Sequence, residues 1–354
     1  MNNRLWHVLV IAVLCVAPLG RQSAAEERFP GAEWARISPA QAGWSEADLA
    51  QARDWSRKIN STAVMVIHHG AVVAEWGDTV KRTELASVRK SFLSALIGIA
   101  VARKQINLDS TLAQLGIDDN PPSLTVTEKQ AAVRMLLEAR SGVYHPALYE
   151  TAGMAARRPP RGSHAPGTFW YYNNWDFNAL GTIYEHATGT GIYDALDQQI
   201  TRPIGMQDYR PSDGTYFPGA ASIHRAYPIR MSARDLARFA LLYLHGGNWA
   251  GRQVVPADWV RDSTRPYSRT GFGPGYGYLW WTGTSDDTSP ARVRLPKGSF
   301  FALGAGGQYA FVIPADDLVV VNRVDRDQHL AEPRMPMVVI LLNLILKAGG
   351  FQPG

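Results

Sequence analysis

Apolar positions alternate or run together in short blocks at both ends of the chain and recur at helical spacing between them. The stretch AVMVIHHGAVVAEWG, residues 63–77, has two strand-like runs around a turn at His69-Gly70 and predicts a hairpin in a central sheet. Near the other end GYGYLWW, SFFALGAGGQYAFVIP and LVVVNRV are strand-like, with Pro314-Ala315-Asp316-Asp317 turning between the last two. Between these ends the pattern is helical. Ser45-Glu46-Ala47-Asp48 opens a capped helix running to Ile59. A helix from Ser87 to about Lys104 is apolar nearly all round, as a helix buried inside a protein is. Thr127-Glu128-Lys129-Gln130 predicts a capping box whose helix ends near Ser141-Gly142. Further helices are expected at Asp176 to Thr188, Ile192 to Ile200, Ser232 to Leu244, from around Pro256, and at Met335 to Leu346. RRPPRGSHAPGT, from Arg157 to Thr168, is a loop by its breaker residues. Strands at both ends with helices between them predict an α+β fold, one sheet built from both ends of the chain with a helical region inserted.

Composition narrows the picture. The chain has 354 residues, 46% of them hydrophobic, enough for one large domain or two intimately packed lobes. Its formal charge of +5 comes from arginines scattered among acids, which reads as a solvated surface rather than a nucleic-acid footprint. Arg4, the apolar run Leu5 to Ala17 and the small residues Ser23-Ala24-Ala25 form a signal-peptide pattern with cleavage expected after Ala25, so the protein is expected to be periplasmic or secreted, without a stable membrane span after removal of the signal. Cys15, the chain's one cysteine, lies in that leader and is not preceded by the small residue a lipid-anchored cysteine needs. The remainder is expected to be a single domain over 26–354, with a sheet lobe of about 40–86 plus 270–350 and a helical lobe of about 87–269. His68 and His69 are adjacent on a strand and therefore predicted to face opposite ways, which argues against a metal role. No metal or organic cofactor is implied.

The candidate chemistry is concentrated in LASVRKS, residues 85–91. Ser87 and Lys90 are three apart, so on a helix they share a face. A serine hydroxyl becomes a nucleophile when a neighbouring base takes its proton, and a lysine serves when burial, nearby positive charge and a helix N-terminus lower its pKa. In PGTFWYYNNWDFNALG, residues 166–181, Tyr172 is a second candidate base, since a hydroxyl beside a cationic lysine ionises more easily. Asn174 offers a carboxamide able to hold both the lysine amine and a substrate carbonyl. The glycines around Ala302-Leu303-Gly304-Ala305-Gly306-Gly307 let a strand approach a ligand, where a free N–H paired with that of Ser87 would form an oxyanion hole. No G-x-S-x-G elbow, zincin helix or P-loop is present, and His145, His164 and His224 lie in loop-like contexts, from which a Ser-His-Asp triad would have to assemble in space. Tyr144, Trp170, Trp175, Tyr216 and Trp281 are candidate pocket aromatics.

In this order the motifs resemble the serine β-lactamase and penicillin-binding superfamily. The similarity is to its class C β-lactamase-like group, with D-alanyl-D-alanine peptidases, family VIII esterases and 6-aminohexanoate-dimer hydrolases. It spans roughly residues 40 to 350 and rests on Ser87-Val88-Arg89-Lys90, PGTFWYYNNWDFNALG, SARDLARF, GYGYLWW and GAGGQYAFVIP. The resemblance implies a central antiparallel sheet flanked by helices with an inserted, mostly helical lobe and the site in the cleft between them. It implies Ser87 as the acylated nucleophile, Lys90 and Tyr172 sharing acid and base duty, Asn174 as the positioning carboxamide, and the N–H of Ala305 in the oxyanion hole. Many relatives carry Lys-Thr-Gly or His-x-Gly on the strand lining the cleft. Here the preferred register sets Ala302-Leu303-Gly304 there, a shifted one Gly304-Ala305-Gly306, and neither holds a cation; Lys297 is too far upstream to substitute. A substrate carboxylate needs a positive partner. The expectation is therefore a secreted serine hydrolase acting on a small ester, amide or short peptide. The alternatives are a β-lactamase or D-alanyl-D-alanine carboxypeptidase, and a catalytically silent ligand-binding member of the group.

Overall fold

The computed structural model describes residues 28–271, 273–283, 295–296 and 298–352. The predicted leader over residues 1–25 and Lys297 lie outside them. In chain order the elements are α1 (Glu46–Lys58), β1 (Ala63–His68), β2 (Ala71–Gly77), β3 (Thr83–Glu84), α2 (Arg89–Ala102), α3 (Val133–Leu137), α4 (Ala152–Ala156), α5 (Asn174–Thr188), α6 (Ile192–Leu196) and β4 (Arg230–Met231). There follow α7 (Ala233–Leu244), β5 (Asn248–Trp249), β6 (Arg252–Gln253), α8 (Ala257–Ser263), β7 (Ser268–Arg269), β8 (Gly275–Tyr276), β9 (Trp281–Thr282), β10 (Phe300–Gly304), β11 (Gln308–Ile313), β12 (Leu318–Arg323) and α9 (Met335–Ala348).

Among the described residues the main sheet is antiparallel and eight-stranded, in the order β2-β1-β12-β11-β10-β9-β8-β7. The first hairpin therefore joins the C-terminal strands through β1 and β12, with Ala63 opposite Arg323 and His68 opposite Leu318. The runs AVMVI and LVVV lack polar alternation because both sheet faces are covered. Helix α7 packs across β1, β11 and β12. On α1, Ser56 Oγ accepts from the indole of Trp76 on β2, and Trp55 donates to the Met337 carbonyl of α9, 2.9 Å away. Helix α2 is buried from Arg89 to Ala100 and packs on α5, α6 and α8.

Helix starts follow their caps. Ser45 accepts from Asp48 N, and Ser232 from Asp235 N, as the sequence predicts. Elsewhere tertiary contacts override local pattern. The capping box forms two residues earlier than predicted, between Thr125 and Glu128, and the long helix toward Ser141 is replaced by a short 3-10 turn and α3. Backbone pairing explains this: Leu112 and Ala113 donate to the carbonyls of Ala131 and Lys129, and Val133 donates to Ser110, which holds Ala131 extended. GYGYLWW divides into β8 and β9 around Leu279, whose φ of 62° makes a tight turn. Helix α5 begins at Asn174 rather than Asp176, capped by Asn173. His69 has left the strand at φ 49°, so its ring lies 3.9 Å from that of His68 rather than on the opposite face; His68 accepts from Trp44, and His69 pairs with Asp317.

One buried cation ties the main sheet to the β3–β4 pair. Arg323, at the end of β12, donates to the carbonyls of Met231, Thr83 and Glu84, to Thr83 Oγ1 and to Gln308 Oε1. Burial lowers its pKa to about 9, yet these partners satisfy the guanidinium without a carboxylate. Arg323→Leu leaves several buried carbonyls without donors and is expected to lower the unfolding free energy by roughly 3 kcal/mol or more, read from the urea midpoint. A midpoint at the wild-type value would show that the tie is dispensable.

Candidate active site

The short pair β3–β4 delivers the chain to Ala86–Val88, a 3-10 turn that runs straight into α2. Ala86 is held at φ 47°, a conformation that strains a residue with a Cβ. Leu85 N donates to the Ile229 carbonyl, and β10 and β11 pack against the turn. Ser87 thus stands where the sheet meets the N-terminus of a buried helix.

Lys90 is one turn further along and 1% exposed. Its Nζ lies 2.8 Å from each of three oxygens: Ser87 Oγ, Tyr172 OH and Asn174 Oδ1. The aromatic faces of Tyr172 and Phe177 close over it at 4.3 and 4.5 Å. Burial, followed by the neighbouring Arg89 charge, lowers its pKa well below that of a free lysine. A neutral amine donates twice and accepts once, so it can donate to Asn174 while taking a proton from a hydroxyl. Asn174 opens α5 and its orientation is set from behind, because Nδ2 donates to the Tyr149 carbonyl at 2.6 Å and Oδ1 is left facing Lys90.

The Tyr172 hydroxyl is buried beside the amine, and burial pushes it up to about 12, which favours its protonated form over a phenolate. Its ring is fixed by Phe177, by Tyr276 and by Trp281, which stacks on it at 5.4 Å.

Gly304 ends β10 against the nucleophile turn. A Cβ there would press on the Leu85 carbonyl and stand 3.0 Å from Ser87 N. This contact favours the register in which Ala302-Leu303-Gly304 lines the site, with the exposed Ala305 next in the chain at the turn. Gly306 and Gly307 close the hairpin at φ 80° and 84°. Gln308 ties that turn to the sheet, donating to the carbonyls of Gly306 and Val324 and accepting from Arg323.

The remaining candidates separate. Trp170 and Trp281 flank Tyr172, whereas Trp175 is core with its indole on Asp119, Tyr144 bonds His164, and Tyr216 bonds Glu185. His145 is held by the Asn120 and Pro146 carbonyls beside Asp119, His224 by Thr182, and His164 stacks on Phe169; none of these is a partner of Ser87. Ser222 gives its hydroxyl directly to Asp119, so the serine and acid near His224 do not form a relay. Among the described residues no three His, Cys, Asp or Glu side chains converge as metal ligands. Two residues at the site were not anticipated: Arg89, which sequence alone presents as an ordinary helix arginine, and Tyr149, whose part is played by its carbonyl.

Residues 47–335 match the family described as Beta-lactamase, and the chain belongs to it. It is a serine hydrolase of that family. Its relatives include Esterase EstB of Burkholderia gladioli, 26% identical over 48% of this chain and 48% of the esterase. A D-aminopeptidase of Brucella anthropi is 29% identical over 41% of this chain and 31% of that protein. The chain thus matches less than half the length of either. The fold is also that of a Bacillus anthracis protein assigned as a 6-aminohexanoate-dimer hydrolase, with a TM-score of 0.64 at 20% identity, covering 84% of this chain and 81% of that one.

Gly304→Ala forces β10 and the Ser87 turn apart. It is expected to slow the reaction of Ser87 with a fluorophosphonate by about 100-fold or more while far-UV circular dichroism remains that of the wild type. Labelling at the wild-type rate would mean that the two segments are not in working contact.

Proposed function

We propose that the protein cleaves a neutral ester or linear amide through an acyl-enzyme on Ser87. The observation that carries this reading is the amine of Lys90, buried, depressed in pKa and 2.8 Å from the Ser87 hydroxyl. Ser87 Oγ attacks the substrate carbonyl carbon and its proton passes to Lys90 Nζ. The oxyanion is received by the backbone N–H groups of Ser87 and Ala305, at the positive end of α2. As the tetrahedral species collapses, the proton travels from Lys90 through Tyr172 to the leaving oxygen or nitrogen. Water then attacks the acyl ester, gives its proton back to the Lys90/Tyr172 pair, and Ser87 departs as the free hydroxyl with release of the carboxylic acid.

Substrate class follows from charge. Ala302, Leu303 and Ala305 contribute no cation to the strand beside Ser87, and a carboxylate bound there would lack a charge-assisted partner. Esters and linear amides are therefore preferred over β-lactams and D-alanine-terminated peptides, in keeping with the named activity of the esterase relative. The leader sequence supports export to the periplasm or beyond as part of the same proposal.

Two outcomes test the reading. Intact-mass spectrometry after brief exposure to a fluorophosphonate, a p-nitrophenyl ester and a penicillin is expected to show a phosphonyl adduct that Ser87→Ala abolishes, ester turnover, and no penicillin adduct or hydrolysis. A penicillin adduct would move the substrate to the β-lactam class, and absence of any label would leave a ligand-binding protein. In the second test, the ester kcat/KM is expected to fall as pH drops through the lowered Lys90 pKa, because protonation removes the base, and Lys90→Met is expected to cost about 1,000-fold or more. A rate independent of pH on the acid side would rule out a neutral lysine as base.

A further inference from the structure

Arg89 is 1% exposed and has no carboxylate partner among the described residues. Its Nη1 donates to the Ala86 carbonyl at 3.0 Å, while Nε and Nη2 meet no acceptor. The guanidinium lies between two tyrosine faces, 5.0 Å from the ring centroids of both Tyr149 and Tyr227. Burial of a charge without a counter-ion works against folding, and such residues are ordinarily paired. Arg323 in the same protein shows the alternative, a buried guanidinium with a full set of acceptors.

The position of Arg89 links it to the site. It sits between Ser87 and Lys90 in sequence, and its bond to Ala86 holds the strained residue just before the nucleophile. One of its aromatic partners, Tyr149, is itself strained at φ 60°, gives its hydroxyl to Glu84, and through its carbonyl holds the Asn174 amide that faces Lys90. We propose that Arg89 is a positioning residue whose unneutralised positive charge, next to Lys90 in the chain and bonded to the residue before Ser87, biases the lysine amine toward its base form. This rests on the reading of Ser87 and Lys90 as nucleophile and base.

No other group around the amine cancels the charge. Tyr172, Tyr227 and Tyr276 are buried hydroxyls whose pKa values burial raises; Asp176, on α5, is likewise pushed up by burial and its Oδ1 accepts from Ser141 and Asn173 rather than from either cation. Glu84 is engaged by Arg326 and by the Tyr149 hydroxyl. The Arg89 charge is also among the causes that lower Lys90.

The test is the pH dependence of the second-order rate of Ser87 phosphonylation by a fluorophosphonate, in the wild type, Arg89→Gln and Arg89→Lys, with thermal melts alongside. Without the cation Lys90 holds its proton to higher pH, so the acid limb of Arg89→Gln is expected to move up by about one pH unit or more, with the rate recovering toward the wild-type plateau in alkali. Arg89→Lys, which keeps the charge, is expected to keep the wild-type limb. A uniform loss of rate at every pH, or an unmoved limb in a folded Arg89→Gln, overturns the proposal and leaves Arg89 as packing. If neither Arg89→Gln nor Arg89→Met accumulates as folded protein, the residue is structural and the proposal falls. An unlabelled wild-type protein overturns the assignment of Ser87 and this inference with it, whereas labelling with an unmoved limb overturns only the inference.

Discussion

The interaction on which the rest of the structure depends is the burial of the Lys90 amine among three oxygens. An ammonium in water is strongly solvated, and removing that water favours the neutral form. Every element around the site contributes to the removal. Helix α2 is apolar along its whole circumference, so it can be driven into the protein with Lys90 in its first turn; Phe177 from α5 and the ring of Tyr172 close the remaining sides. Asn174 then fixes the direction in which the amine can donate, because its own amide is committed to the Tyr149 carbonyl. On the proposed mechanism the consequence is a base whose lone pair is available to the hydroxyls.

A base so placed is useful only if the hydroxyl it serves does not move, and here the sheet matters. The turn carrying Ser87 is gripped from one side by β10, where Gly304 allows backbone contact, and from the other by β4, whose leading residues accept from Leu85. Arg323 pins the carbonyls of Thr83, Glu84 and Met231 to the end of β12, and through Gln308 the same cluster fixes the glycine hairpin that follows Gly304. The Ser87 turn and the hairpin are thereby referenced to one buried guanidinium, so the strain at Ala86 is held by long-range hydrogen bonds around it together with the Arg89 bond to its carbonyl.

How much of this was legible in the sequence depended on whether local periodicity or distant contact decided the outcome. The 63–77 hairpin, the C-terminal strands and the helices beginning after Ser45 and Ser232 carry their signals within a few residues, and they form where the pattern places them. The segment from Thr127 reads as a long helix because its propensities are helical, but its backbone groups are taken by residues 110–113, a pairing no local window contains. Ser87, Lys90, Tyr172 and Asn174 were identifiable as residues, and the structure brings them together. Their charge states were not, because desolvation is a property of the assembled core: proximity of lysine to tyrosine suggested a phenolate, while burial of both favours two neutral groups. Arg323 was hidden for the same reason, since an arginine ending VVVNR looks like the solvent side of a strand.

The absence of a cation on β10 separates two tasks that one residue can combine elsewhere. A positive charge near the base lowers its pKa from any direction, because the Coulomb field does not depend on which wall supplies it. Holding a substrate carboxylate is different, since it requires donors that reach the ligand in the cleft. Arg89 is 1% exposed and enclosed by Tyr149 and Tyr227, so it fits the first task, as proposed, and is excluded from the second. Arg326, beside the glycine hairpin, is already engaged by Glu84 and Glu332. On the proposed reading, a site arranged this way retains an activated serine while giving up the electrostatic feature that favours an anionic substrate. Its selectivity then falls to shape and apolar contact, for which Trp170 and Trp281 beside Tyr172 provide the surface.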